Sequence, residues 1–125
     1  MIMTEKAIDL AKFRGNQSTI FTGRPQGRSA RVDLKLDELD KDGDIEIHFK
    51  VPKGTTSFNP SFYLGLLYTS YKNLGIEGFA NKYKFQIVDD DPSIRKVLEQ
   101  NLEDGVRNAI NELNKKTGLW PFINK

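Results

Sequence analysis

Residues 53–62 read Lys-Gly-Thr-Thr-Ser-Phe-Asn-Pro-Ser-Phe and gather hydroxyl groups just ahead of a helix start. Asn59 is a good N-cap residue, and Pro60 suits the first helical position. A helix N-terminus carries partial positive charge and unsatisfied N–H groups, so it favours an anion or a phosphoryl group. A phosphorylated hydroxyl there would add about 1.5–2 negative charges and could gate a partner. Thr55, Thr56, Ser57, Asn59, Ser61 and Phe62 are therefore the candidate regulatory or partner-binding residues. The competing reading is a helix cap beside a polar turn.

Three further groups have types that suggest chemistry. Arg24, Arg28 and Arg31, within Gly-Arg-Pro-Gln-Gly-Arg-Ser-Ala-Arg at 23–31, fall at helical spacing. Their guanidinium forks could bind phosphate, nucleic acid or an acidic partner, and the alternative is a solvated helix face. The glycine spacing fits neither a P-loop nor a dinucleotide fingerprint. Asp89, Asp90 and Asp91 offer hard oxygen ligands that suit Mg2+, but Asp91 followed by Pro92 reads first as a helix cap. Asp-Lys-Asp-Gly-Asp at 40–44 fails as a calcium loop: Gly43 precedes Asp44, and Val51 falls where the bidentate glutamate is needed.

The composition excludes more. No cysteine is present, which removes disulfides, zinc thiolates, iron–sulfur clusters and thiol nucleophiles. A single histidine, His48, rules out two-histidine metal motifs. No nucleophile elbow accompanies it, so His48 is read as a strand residue without a catalytic role. No catalytic residue, metal or cofactor is assigned, and the chain is read as non-enzymatic. A net charge of +2 is too mild to argue for nucleic acid by itself.

The elements that must position these groups follow from periodicity. The 125 residues are 38% hydrophobic and 29% charged, which suits one globular domain over 1–125 with an apolar tail at 117–125. Most aromatics lie beyond residue 57, which places the core in the second half. Residues 6–13 fit either strand or helix, and 14–23 a polar turn with room for a short strand at 19–22. Residues 24–39 are predicted as a helix and 40–44 as a turn. Ile45, Ile47, Phe49 and Val51 alternate with Glu46, His48 and Lys50, which predicts a strand over 45–51. After a loop at 53–59, a helix starts at Asn59 and stops at Gly75, apolar almost all round and therefore buried. A strand at 83–88 precedes a helix from Asp91 to about Lys115, with Gly105 as a kink or break. In the tail, Trp120 and Phe122 either close the core or dock elsewhere.

Strand, helix, strand and helix in succession predict parallel strands joined by a right-handed crossover. The expected fold class is a small single-domain α/β sandwich with a mixed or parallel sheet and helices packed on it. No apolar run reaches the length that spans a bilayer. The first twelve residues carry Glu5 and Asp9 in place of an apolar leader. The expected location is cytoplasmic, away from the membrane.

The order of Gly-Arg-x-x-Gly-Arg-Ser-Ala-Arg at 23–31, Ile-Glu-Ile-His-Phe at 45–49, Ser-Phe-Tyr-Leu-Gly-Leu-Leu-Tyr at 61–68, Tyr-Lys-Phe-Gln-Ile-Val at 83–88 and a long final helix resembles the STAS-like domain family of unknown function. That family is a variant of the STAS domain of anti-sigma-factor antagonists, and the resemblance covers about residues 20–110. It implies a non-enzymatic regulatory module that binds a histidine-kinase-type ATPase. It also implies a switch by phosphorylation of a serine at the N-terminus of the helix after the central strand. The antagonists show Asp-Ser-Ser-Gly there; this chain has Asn59-Pro60-Ser61-Phe62, which leaves Ser61 as the acceptor. Relatives carry an acidic pair where this chain has Tyr63 and Leu64. The alternative function is nucleic-acid or nucleotide binding through Arg24, Arg28 and Arg31.

Overall fold

A computed structural model describes residues 3–14 and 18–116; the tail, with Trp120 and Phe122, lies outside the described residues. The chain runs β1 (Thr4–Asp9), a 3-10 turn (Ala11–Phe13), β2 (Ile20–Phe21), α1 (Arg24–Leu34), α2 (Leu36–Lys41) and β3 (Ile45–Val51). It continues through β4 (Ser57–Phe58), α3 (Pro60–Lys82), β5 (Tyr83–Ile87) and α4 (Pro92–Lys116). The result is a small single-domain α/β protein whose sheets are parallel. β3 lies at the centre of a three-stranded sheet in the order β1-β3-β5, and β2 pairs with β4 in a separate ribbon.

The alternation read at 45–51 sets the sheet's two faces, because successive strand residues point to opposite sides. Ile47, Phe49 and Val51 are fully buried, joined by Ile8, Tyr83 and Ile87. The opposite face carries Glu5, Ala7, Glu46, His48, Lys84 and Gln86, none of them buried. The ambiguous segment 6–13 is strand as far as Asp9, whose Oδ1 accepts from Ala11 N at 2.8 Å and turns the chain.

α3 is the buried helix, with Phe62, Tyr63, Leu66 and Leu67 at most 1% exposed. Its aromatic residues pack against the strands: Tyr71 stacks on Phe79 at 3.8 Å between centroids, and Phe79 lies 5.1 Å from Tyr83. Glycines let neighbouring helices approach it. A Cβ on Gly65 would sit 2.1 Å from the Arg24 carbonyl, and one on Gly27 would sit 2.3 Å from the Phe62 carbonyl. α1 and α3 therefore touch backbone to backbone, which only glycine permits.

Several boundaries differ from expectation. The helix read at 24–39 breaks at Lys35, the one described non-glycine residue with positive φ (56°). Asp40 and Lys41 belong to α2, so the turn at 40–44 narrows to 42–44. The loop at 53–59 contains β4. At Gly75 (φ 76°, ψ 172°) the helix breaks as expected, but helical residues resume and run to Lys82. Gly105 neither kinks nor ends α4; a Cβ there would lie 2.5 Å from Cγ of Tyr63, so the glycine is a notch for that ring.

Substituting Gly65→Ala forces a methyl onto the Arg24 carbonyl and is expected to cost at least about 1–3 kcal/mol. Gly43, whose Cβ would meet nothing within 4 Å, is the control. Urea unfolding should show a lowered midpoint for Gly65→Ala and an unchanged one for Gly43→Ala.

Candidate functional site

The junction from β3 to α3 holds the hydroxyl-rich segment, and the hydrogen-bond ledger of that segment is nearly closed. Thr55 is 0% exposed. Its Oγ1 donates to the Pro52 carbonyl at 2.8 Å and accepts from Nη1 of Arg14 at 2.8 Å. The same Arg14 nitrogen reaches the Lys53 carbonyl at 3.3 Å, so a residue just past β1 clamps the loop. Thr56 N donates to the Thr19 carbonyl at 2.7 Å, and the two threonine hydroxyls lie 2.9 Å apart. Phe58 N donates to Oδ1 of Asn101 at 2.8 Å, which ties the segment to α4.

Asn59 caps α3 as read from sequence: its Oδ1 accepts from Ser61 N and from Ser61 Oγ, each at 2.8 Å. An amide oxygen of the chain thus already occupies the position an anion would take. Phe62 is 0% exposed and packs on Phe21 and Phe58, with centroids 5.2 and 5.3 Å away. Two of the six candidates are corrected by this: Thr55 and Phe62 are wholly inside and cannot touch a partner. Thr56 and Asn59 are exposed, while Ser57 and Ser61 are half-buried at the rim.

The three arginines do not form one surface, which corrects their reading as a shared anion site. Arg24 forms a bidentate pair with Glu112 at 3.2 and 2.8 Å. Arg28 is exposed. Arg31 is 6% exposed and faces inward. Its guanidinium donates to the Leu66 carbonyl (3.0 Å), Ser70 Oγ (2.7 Å), Asp37 Oδ1 (2.7 Å) and Asp40 Oδ2 (2.8 Å). Asp40 in turn accepts from Ser70 Oγ (2.8 Å), Asn73 Nδ2 (2.9 Å) and the Tyr83 hydroxyl. Helical spacing alone cannot tell such an arginine from a solvated one.

The aspartates at 89–91 serve α4. Asp91 Oδ1 accepts from Ser93 N at 2.9 Å and Ile94 N at 3.3 Å, and Asp89 Oδ1 accepts from Asp91 N at 3.0 Å. Sequence reasoning missed a different grouping, in which His48 meets Glu46 and Glu5 on the open face of the sheet. The shared face of Glu46 and His48 was readable from strand period. The third member needed the β1–β3 register, which a segment fitting two element types did not supply.

Comparison with protein-family models, with curated proteins and with solved structures finds no match for this chain. Among the described residues, no helix is long and apolar enough to cross a membrane. The class defined by fold and site is a small parallel α/β domain with a capped, hydroxyl-bearing strand-to-helix junction.

Two predictions test the interior that supports this junction. Asp40→Ala leaves the buried Arg31 charge with only the exposed Asp37 as counter-ion and is expected to cost up to about 3–5 kcal/mol, read as a drop in urea midpoint. Burial raises the pKa values of the Tyr63, Tyr71 and Tyr83 hydroxyls above their ordinary 10.0, with the Asp40 hydrogen bond adding to the effect at Tyr83. Since the folded values lie above the unfolded ones, their contribution is intact below about pH 10 and is lost as pH rises further. Phenolate absorbance of these three should appear together with alkaline unfolding, monitored by circular dichroism, rather than before it.

Proposed function

We propose that this protein is a non-enzymatic regulatory interaction module that docks a protein partner through the rim of the β3–α3 junction. Thr56, Asn59 and Ser61 are the contact residues, with Lys53 beside them. The observation that carries this reading is the Ser61 cap. Ser61 stands in the first turn of α3, and its hydroxyl donates to Asn59 Oδ1, the atom that also receives Ser61 N–H. A phosphoryl group on Ser61 removes that donor and sets about 1.5–2 negative charges beside the cap oxygen, at the positive end of the helix. The cap and the phosphate compete for the same N–H groups, so the rim has two states a partner can distinguish.

The STAS-like resemblance supports the same surface and suggests a histidine-kinase-type ATPase, met in the cytoplasm, as the partner. The arginine alternative is less well supported, since Arg24 and Arg31 are committed to Glu112, Asp37 and Asp40.

The test is a tagged pull-down of the full chain from nuclease-treated native lysate, read by mass spectrometry together with phosphopeptide mapping over 55–61. A stoichiometric ATPase is the expected result. Ser61→Asp should then weaken the complex by about tenfold or more, or about 1.4 kcal/mol, while Ser61→Ala should change it little. Equal affinities for both variants remove Ser61 from the mechanism. Recovery of material only when the nuclease is omitted rejects the reading.

A further inference from the structure

We infer that Glu5, Glu46 and His48 form a divalent transition-metal site of one nitrogen and two oxygen donors on the open face of the three-stranded sheet. The placement follows from register. Glu5 and Glu46 are direct partners on the parallel strands β1 and β3, and His48 lies two residues beyond Glu46, hence on the same face. His48 Nε2 lies 2.6 Å from Glu46 Oε2 and 3.0 Å from Glu5 Oε1. The three donor atoms all fall within 4.8 Å of one another. Tetrahedral bonds of about 2.0–2.2 Å to one shared ion hold donors about 3.3–3.6 Å apart, so the His48 contacts at 2.6 and 3.0 Å open by less than about 1 Å to admit a cation.

The charges around the cluster argue for an ion there. Like charges directly opposite on adjacent strands destabilise a sheet, and Glu5 and Glu46 are such a pair. A single ring nitrogen carries at most one hydrogen, so it cannot give each carboxylate its own bond. The lysine beside the cluster on β5 is committed elsewhere. Lys84, the β5 partner of His48, donates Nζ to the Ala80 carbonyl at 2.6 Å, and Lys50 stands opposite Asp9. A divalent cation bound to all three donors removes both conflicts.

The surroundings permit entry. The β1 partner of His48 is Ala7, whose small side chain leaves the imidazole partly open to solvent. The His48 and Glu46 side chains are 28% and 23% exposed, so two donors are held by the sheet, while Glu5, at 70%, reaches in from the edge strand. One imidazole with two carboxylates and no sulfur suits Zn2+ and its first-row neighbours better than soft Cu+ or hard Ca2+. Two carboxylates balance the ion's charge. Three protein ligands leave a further position, which water or a donor from a second molecule fills. Because the ligands come from β1 and β3, the ion would also fasten an edge strand to the sheet.

Chelator-treated full chain titrated calorimetrically with ZnCl2 tests this, with parallel melting curves and the visible spectrum of the Co2+ form. The expected result is one Zn2+ per chain, a raised melting temperature and a Co2+ spectrum that depends on His48. His48→Ala and Glu46→Gln should each weaken binding by at least about tenfold, the scale of losing even an outer-shell partner. Asp9→Asn, on the same face but outside the cluster, should bind as the parent does. Circular dichroism separates lost binding from lost fold. No binding at millimolar zinc overturns the inference, and so does binding that survives either His48→Ala or Glu46→Gln in a folded variant.

Discussion

The pairing of Arg31 with Asp40 is the interaction on which the rest of the molecule depends. Taking two charges out of water costs several kcal/mol per ion, and that cost is met only where every remaining donor and acceptor finds a partner. Here the partners come from four elements. Arg31 belongs to α1 and Asp40 to α2, Leu66, Ser70 and Asn73 belong to α3, and Tyr83 opens β5. The left-handed residue Lys35 breaks the helix between them and lets α2 return Asp37 and Asp40 to the guanidinium. Once that cluster is fixed, the position of α1 along α3 is fixed with it, and the Gly27–Gly65 contact can form. The start of α3, where Asn59 and Ser61 sit, inherits its placement from these constraints.

The parts of the fold legible in sequence are those written in local chemistry. Strict alternation gave β3 to the residue, and Asn59-Pro60 and Asp91-Pro92 marked the starts of α3 and α4 because caps and proline act within one turn. Parallel pairing followed from the order of elements. What escaped was written in contacts between distant segments. Lys35 carries no signal that the helix breaks there. Ile8 is the one buried residue of β1, too little to establish a period. Gly65 and Gly105 look like helix weaknesses until the carbonyl and the ring that need their space are known.

The candidate site divides in the same way. That hydroxyls would gather at a helix start was readable, and so was the cap. Which of them face solvent was not: Thr55 is inside because Arg14, forty-one positions earlier, bonds to it. The arginines failed for a related reason, since three cations at helical spacing look alike whether they meet water or buried carboxylates.

The central position of β3 also determines the order in which the molecule can assemble. Thr4 must find Ile45, and Ile47 must find Tyr83, with whole helices spaced between each pair. No two neighbouring strands of the main sheet are joined by a hairpin, so none of that sheet forms from local encounters, and chain-closure entropy is spent before any ladder bond repays it. As the chain leaves the ribosome, β1 emerges first and must wait for β3. β5 in turn waits behind the whole of α3.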